Sequence, residues 1–220
     1  MSQNAGRIDL SGNDVRKAGP GDMIMDQKKR YVVAGAGNQT IPAVAILSGI
    51  VARTGIAANN ADVFDTADNI MAACPGLDQG DSFEFLLDQG AAFTNTPTAG
   101  AGITLVNANI AASNVRRYMV TCLAAGRTNI QQVNKTNGNA VLTLAGINGF
   151  PTPSQASTIA KQIQPGMLVT GTGIPGGTTV IAVNPTAGTV TMSANATDGL
   201  TVAATFIPSI EIRGLYQAAA

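Results

Sequence analysis

The second half of the chain alternates short runs of β-branched residues with turn residues. Strands are predicted at 140–144, 168–170, 178–183, 189–193 and 201–206. Segments rich in glycine, asparagine or proline separate the last four, at 171–177, 184–188 and 198–199. Short strands at a spacing of about ten residues, with turn signals between them, predict an antiparallel β meander.

The preceding region combines strands with one helix. Residues 41–53 are apolar and β-branched, which favours a buried strand interrupted near Gly49. Residues 62–74 carry apolar side chains at helical spacing, with Asp65 or Thr66 as the N-cap and a Pro–Gly stop after the last turn. Further strands are predicted at 82–87, with Phe83 and Phe85 on one face, and at 92–96, 103–106 and 116–123.

The two ends of the chain differ in pattern. Residues 1–38 mix charges with glycine and lack a continuous apolar run, which predicts an extended or weakly structured arm that orders on a neighbouring subunit, or else a solvated tail. Residues 209–216 alternate polar and apolar side chains, as a half-buried strand does, and by pattern complete the first domain. Residues 154–163 are predicted to form a short helix or loop with Ser154 as its cap.

These patterns predict a mainly β protein. The fold expected is a small β sandwich or roll with one short helix, a second inserted β domain and an extended N-terminal arm. The predicted domains are the arm at 1–38, a first β domain at 39–133 completed by 207–220, and an inserted second β domain at 134–206.

Charged residues are scarce. They make up 12% of the chain, whereas about a quarter is usual. Because 13 basic and 13 acidic residues cancel, no overall field attracts nucleic acid or an anionic membrane, and the expected partners are proteins. Between residues 128 and 210 the charged residues are Lys135, Lys161 and Asp198. Such a small β domain would be poorly guarded against edge-to-edge pairing, which favours a surface partly covered by another subunit.

The side chains used most often in catalysis are missing. The chain has no histidine and no G-x-S-x-G nucleophile turn, which leaves a glycosidase-type carboxylate pair as the remaining option. Only 4% of residues are aromatic, although glycosidase sites usually present aromatic platforms to the sugar. The chain is therefore predicted not to be an enzyme. No catalytic, cofactor-binding or metal-ligating residue is assigned, and no small-molecule substrate is expected.

Two motifs favour structural roles. Residues 171–176 match G-x-G-x-x-G, but strand-forming residues follow where a dinucleotide site requires a helix, and Asp198 lies in a turn. An acidic stretch lacks the spacing of an EF-hand loop and favours helix capping, or a negative face for a basic partner, over a metal site. Its members are Asp62, Asp65, Asp68, Asp78, Asp81, Glu84 and Asp88.

The remaining signals concern thiols, basic residues and targeting. Cys74 and Cys122 lie far apart without a C-x-x-C spacing and are predicted to be buried, reduced thiols. The basic residues near 16–17 and 28–30 are diluted by aspartates, so a solvated or protein-contacting arm is favoured over nucleic-acid binding. The polar N-terminus predicts no secretory signal, and no window approaches the roughly 18 apolar residues of a membrane-spanning helix.

Two segments resemble virion proteins of tailed bacteriophages. Residues 61–85, with the run Gly80-Asp81-Ser82-Phe83-Glu84-Phe85, continue through 100–105 to 116–118. They resemble a module in which a short helix ending in Pro-Gly leads into a G-D-S-F-E-F strand and then a β sandwich or roll. Residues 166–206 are similar to a β unit of phage surface and fibre proteins.

The resemblance implies a virion surface protein, most like a capsid decoration (cement) protein. Such a protein clamps neighbouring major capsid subunits on the capsid surface after synthesis in the host cytoplasm. It is most often a homotrimer, and dimers also occur. The compact length and the lack of a fixed-period repeat favour this position over a fibre. The alternative is a head-fibre or tail adaptor protein that docks a receptor or another fibre, and a more distant one is a glycan-binding module. The resemblance transfers no functional residue.

Overall fold

The computed structural model describes residues 8–10, 13–19, 22–25, 29–90, 92–144 and 162–219. The protein is mainly β, with 49% of the described residues in strands and 7% in helices, which confirms the predicted class. The predicted helix or loop at 154–163 lies outside the described residues except for its last two positions.

The described residues form seventeen strands and two helices. The strands are β1 (Ile8–Leu10), β2 (Asn13–Gly19), β3 (Asp22–Met25), β4 (Lys29–Ala34), β5 (Thr40–Ile41), β6 (Gly49–Thr54), β7 (Val63–Phe64), β8 (Ser82–Gln89), β9 (Ile103–Val106), β10 (Asn114–Ala124), β11 (Asn129–Lys135), β12 (Val141–Leu144), β13 (Leu168–Thr170), β14 (Val180–Asn184), β15 (Thr189–Met192), β16 (Thr201–Ile207) and β17 (Ser209–Ala219). The helices are α1 (Ala43–Leu47) and α2 (Ala67–Ala73).

Contacts between residues divide the chain into two compact units. The first unit comprises Met1–Cys122 and Ile210–Ala220, and the second comprises Leu123–Ser209. All of the predicted inserted domain, 134–206, falls within the second unit. Strand β17 belongs to the first unit from its second residue onward.

The first unit is organised around strand β8. This strand pairs antiparallel with β10, from Gln89–Asn114 to Ser82–Thr121. On its other side it pairs in parallel with β6, and β6 pairs in parallel with β4. The main path of the sheet is β1-β2-β3-β8-β10-β17-β9. The chain thus returns at its C-terminal end to complete the sheet that its N-terminal part begins.

An aromatic cluster forms the core of the first unit. Burial alternates along all of β8, and Phe83 and Phe85 share its buried face as predicted. Phe85 stacks on Tyr118 with the ring centroids 5.1 Å apart, and Phe64 meets both rings edge-on. The hydroxyl of Tyr118 donates to the carbonyl oxygen of Ala108. Because this hydroxyl is buried, its pKa is raised above the ordinary tyrosine value.

A buried ion pair links several segments of the first unit. The side chains of Arg53 and Asp62 are both 0% exposed, with Nε and Oδ2 2.6 Å apart. Arg53 also donates to the carbonyl oxygen of Val33 at 2.7 Å. Asp62 accepts from the backbone N–H of Gln39 and from Nδ2 of Asn95, each at 2.8 Å. The pair therefore joins β4, β6 and three connecting loops.

Strands β1 to β4 lie in the range 1–38, for which the sequence predicts an extended or weakly structured arm. Strand β4 pairs with β6 along its whole length, from Lys29–Gly49 to Ala34–Thr54. Tyr31, Val32 and Val33 have high strand propensity. This apolar run is short and follows three basic residues, so the hydrophobic pattern alone does not reveal the pairing.

The prediction of a single strand at 41–53 is wrong in its first half. Helix α1 occupies Ala43–Leu47, and only β6 follows the prediction. Pro42 precedes the helix with a φ of −72° and an extended ψ, as an N-cap residue requires. Because a short apolar run suits a buried helix as well as a buried strand, periodicity cannot separate them.

The predicted helix at 62–74 is confirmed but begins later. The hydroxyl of Thr66 accepts from the N–H of Asn69 at 3.2 Å, which makes Thr66 the N-cap. Residues Val63–Phe64 form strand β7 instead, paired with β5. The helix ends at Ala73, just before the predicted Pro–Gly stop.

The strand predicted at 92–96 is not present among the described residues. Asn95 forms only isolated bridges with Asn60 and Ile110. Its buried side chain binds Asp62, and Pro97 supplies no N–H to extend a ladder. The other predicted strands of this region are confirmed as β8, β9 and β10.

The second unit contains a six-stranded antiparallel sheet with the order β13-β16-β11-β12-β15-β14. The strands predicted at 140–144, 168–170, 178–183, 189–193 and 201–206 are confirmed as β12 to β16. One face of the sheet carries the apolar core. Its fully buried members include Val133, Leu142, Met167, Val169, Val190, Ala204 and Phe206.

The two end strands of this sheet are hydrogen-bonded to each other. The N–H of Val180 donates to the carbonyl oxygen of Met167, and the N–H of Val169 donates to that of Thr178, each at 2.8 Å. These bonds flank an antiparallel bridge between Leu168 and Thr179 and close the six strands into a ring. This contact covers the edges of β13 and β14 only near the bridge, and residues 181–184 of β14 extend beyond it.

Replacing Asp62 with alanine should destabilise the first unit by about 3–5 kcal/mol, because Arg53 would remain buried without its counter-charge. Urea unfolding followed by circular dichroism measures the change. The matched control is Glu84→Ala, which breaks the pair between Arg117 and Glu84, whose side chains are 53% and 41% exposed. The control should lose less than about 1 kcal/mol. Equal losses in the two variants would contradict the assigned role of Arg53 and Asp62.

Stability should fall in alkaline solution as the buried thiols ionise. Cys74 and Cys122 are both buried thiols outside any disulfide, as predicted. Burial, and then the charges of Asp81 and Asp78, raise the pKa of Cys122 from 9.0 to about 12. An acid whose folded-state pKa is raised stabilises the fold below its unfolded pKa, so this contribution is lost between about pH 9 and about pH 12.

Urea midpoints measured across this alkaline range test the prediction. The natural protein should lose stability more steeply than Cys122→Ala, because that variant lacks the thiol. Thiol reagents near neutral pH should label the denatured chain and leave the native one unlabelled. Rapid labelling of the native protein would contradict the assigned burial.

Candidate interaction surface

The curled six-stranded sheet of the second unit forms a barrel, and three loops meet at one end of it. These three loops form the surface named the loop end. They are residues 136–140, 171–179 and 193–200, which connect β11–β12, β13–β14 and β15–β16. The chain enters and leaves the barrel at its other end. Functional residues are common on loops that a rigid scaffold positions, so the loop end is the first candidate for a contact site.

Backbone hydrogen bonds tie these loops together. The N–H of Gly138 donates to the carbonyl oxygen of Ala196 at 2.8 Å, and the N–H of Ala196 donates to that of Asn139 at 2.9 Å. The N–H of Thr197 donates to the carbonyl oxygen of Gly173 at 2.9 Å. The 193–200 loop therefore bonds to both of its neighbours, and the surface is organised before any partner binds.

A pair of opposite charges lies beneath the loop end. The Nζ of Lys135, at the end of β11, contacts Oδ1 of Asp198. The Lys135 side chain is 0% exposed and that of Asp198 is 30% exposed. The backbone N–H of Leu200 is 3.4 Å from the same carboxylate oxygen. Because these two charges cancel locally, the loop end presents a neutral surface.

Gly173 packs directly on this pair. Its φ is +66°, a left-handed conformation that favours glycine. A Cβ at this position would overlap the Asp198 carboxylate and Nζ of Lys135. Gly173 belongs to the G-x-G-x-x-G motif at 171–176, and strand β14, not a helix, follows that motif. The motif thus forms a close turn over an ion pair, and its structure lacks the helix N-terminus that a dinucleotide site needs.

The outer face of the barrel is uncharged. Lys135, which points inward, is the only charged residue in the six strands. One outward row crosses five strands through Cα pairs and contains only threonine and asparagine. Its members, in spatial order, are Thr201, Asn134, Thr143, Thr189 and Asn184. The hydroxyl of Thr201 donates to Oδ1 of Asn134 at 2.5 Å.

Several large apolar side chains project from the same unit. Ile130, Ile181 and Leu200 are 66%, 57% and 59% exposed. Single exposed apolar residues are common on protein surfaces. Here, however, few charges surround them. Among the described residues of this unit, Arg127 is the one charged residue that is exposed. Such a surface loses little charge solvation when a protein partner covers it.

An open depression of about 560 Å³ lies at the other end of this unit. Residues 126–130 line it together with Gln162 and Gln164. Arg127 contributes the one charged side chain of this depression. The other lining groups are side-chain amides, a hydroxyl group, backbone atoms and the apolar side chain of Ile130. It presents no pair of groups suited to acid–base chemistry.

Five members of the acidic stretch of the first unit have partners within that unit. Asp62 is fully buried against Arg53, and Asp65 accepts from the N–H groups of Ala43 and Thr66. Two other members lie near arginines, with Glu84 3.6 Å from Arg117 and Asp88 3.6 Å from Arg30. Asp81 accepts from the N–H of Asp78 at 3.0 Å. In the described ranges, no three His, Cys, Asp or Glu side chains converge as a metal site would require.

Comparison of the chain with family models, with curated proteins and with solved structures gives no match. No described helix has the length and apolar character needed to cross a bilayer.

Gly173→Ala should destabilise the second unit by about 2–4 kcal/mol. Alanine is strained at the left-handed φ of this position, and its Cβ would overlap the contact between Lys135 and Asp198. The matched control is Gly176→Ala in the same loop, where φ is not left-handed and nothing lies within 4 Å of an added Cβ. The control should change stability by no more than about 0.5 kcal/mol. Thermal unfolding followed by circular dichroism compares the two variants, and equal effects would contradict the close packing over Lys135 and Asp198.

Proposed function

We propose that this protein is a structural component of a phage virion that binds the assembled capsid and stabilises it. In this proposal the N-terminal region and the first unit bind neighbouring major capsid subunits. The second unit projects from the capsid or joins copies of the chain, as a homotrimer or a dimer. The protein is made in the host cytoplasm and resides on the capsid surface.

The observation that carries the proposal is the nearly uncharged surface of the second unit. A freely soluble domain usually exposes many charges of both signs, whereas this outer face presents threonine, asparagine and isolated aliphatic residues. Neutral polar and aliphatic surfaces are suited to burial against protein, because no charge has to be desolvated. The mainly β fold and the resemblance of residues 61–85 and 166–206 to phage modules support the same interpretation.

The mechanism is thermodynamic linkage and requires no chemical step. A protein that binds the assembled shell but not free capsid subunits stabilises the shell by RT ln(1 + [L]/Kd) per site. At a concentration 100-fold above Kd, this is about 2.7 kcal/mol for each site. A shell with many sites therefore gains considerable resistance to heat and to loss of cations from modest individual contacts.

A second candidate is a head-fibre or tail adaptor protein, and the loop end favours it. Three hydrogen-bonded loops at one end of a barrel are suited to docking a receptor or another fibre. Electron microscopy of labelled virions separates the candidates, because a decoration protein lies over the head surface and an adaptor lies at a vertex or on the tail.

Purified protein should sediment with expanded heads that lack their surface protein, taken from the phage that encodes this chain. It should raise the temperature at which these heads release DNA, and it should not bind free capsid subunits. Lack of binding, together with unchanged resistance of the heads to heat and chelators, would overturn the proposal.

Variants with an added charge test whether the outer face of the second unit joins copies of the chain. Thr143→Glu places a charge at the centre of the threonine–asparagine row and should weaken self-association in sedimentation velocity. Thr104→Glu, at an exposed position of β9 in the first unit, is the matched control for added charge. If neither variant alters the oligomeric state, the outer face does not join copies of the chain.

A further inference from the structure

The amine of Lys135 has too few acceptors for its position. A lysine ammonium carries three N–H donors. The side chain is fully buried. Among the described residues, Nζ has one ion-pair partner, which is Asp198. Nζ has no geometrically satisfactory hydrogen bond to any other described atom. A buried ammonium in this state would leave charged donors without acceptors, which is among the most costly arrangements in a protein interior.

The amine of Lys135 lies in apolar, closely packed surroundings. The strand that carries Lys135 also contributes Val133 to the apolar core. The backbone at Gly173 lies so close that no side chain would fit there, and it covers the pair from the loop side. Transfer of one proton within the pair, from the ammonium to the carboxylate, would give an amine beside a carboxylic acid. These are the two reactants that form an amide.

We propose that Lys135 and Asp198 form an intramolecular isopeptide bond. The lone pair of the neutral Nζ attacks Cγ of the protonated Asp198 carboxyl group, and an N–C bond forms. The Cγ–OH bond then breaks, and the hydroxyl group leaves with a proton from the nitrogen as one molecule of water. No electrons are transferred to another species, and no cofactor or co-reactant is consumed.

The geometry supports this reaction in three ways. The amide nitrogen keeps one N–H in place of three, which removes most of the unsatisfied donors. The fold also holds the reacting groups in contact, and intramolecular positioning of this kind can replace a very high concentration of an external reactant. The N–H of Leu200 points towards Oδ1 and would stabilise negative charge on that oxygen during attack.

The bond would join the first and last strands of the barrel. Lys135 ends β11, and Asp198 lies shortly before β16, which is the neighbour of β11 in the ring. The two residues are far apart in sequence, so the bond would close a long loop. Such a link would resist separation of β11 from β16.

Intact mass spectrometry of the denatured natural protein tests the proposal directly. The expected mass is about 18 Da below the mass calculated from the sequence, owing to the loss of water. Trypsin does not cleave after an amide-linked lysine, so the digest should contain residues 128–161 joined to residues 162–213. A mass equal to the sequence value, with 128–135, 136–161 and 162–213 as separate peptides, would mean an ion pair only and would overturn the proposal.

Two variants make the assignment specific. Lys135→Met keeps a long apolar side chain but cannot form the bond, so its mass should equal its own sequence value. Asp198→Ala should do the same if it folds, and because the mass is read on denatured chains the result does not depend on retained stability. A deficit of about 18 Da that persists in either variant would place the modification elsewhere and would also overturn the proposal.

Discussion

Direct contact between a buried basic side chain and an acidic side chain is the constraint on which both units depend. Arg53 and Asp62 connect strands and loops of the first unit, and Lys135 and Asp198 lie beneath the loop end of the second. A buried charge is tolerated only when its partners satisfy it. Arg53 meets this condition through backbone carbonyl groups as well as through Asp62. With Lys135 and Asp198 joined beneath the loop end, the exposed surface of the second unit is left nearly neutral, and the proposed protein contacts follow from that neutrality.

Much of the strand content could be predicted from hydrophobic periodicity. The alternation at 82–87 and the β-branched runs between 140 and 206 identify β8 and β12 to β16 because each run is bounded by strong turn residues. The prediction failed at Ala43–Leu47, since a short apolar run has no periodicity that separates a helix from a buried strand. It also missed the pairing of β4 with β6. Parallel pairing between segments so far apart leaves no local signal in the sequence.

The sequence predicts the composition of the candidate surface but not which of its residues lie together. Counting charges between residues 128 and 210 identifies an unusually neutral region, but it does not show that Lys135 and Asp198 meet. Their contact depends on the adjacency of β11 and β16, which is set by the order of the strands in the sheet. The bonds between Met167–Val169 and Thr178–Val180, which bring the two end strands of the sheet together, likewise leave no signal in the sequence pattern.

The adjacency of β11 and β16 has an evolutionary consequence. Asn129 and Phe206, near the two ends of the barrel segment, are direct Cα partners on neighbouring strands, which lie about 4.8 Å apart. A host fold therefore needs only a narrow gap in one of its connections to accept the whole barrel. Recombination could add, remove or replace such a cassette without rebuilding the sheet around it. Related genes would then be expected to diverge most in this cassette, while the surrounding framework is inherited intact.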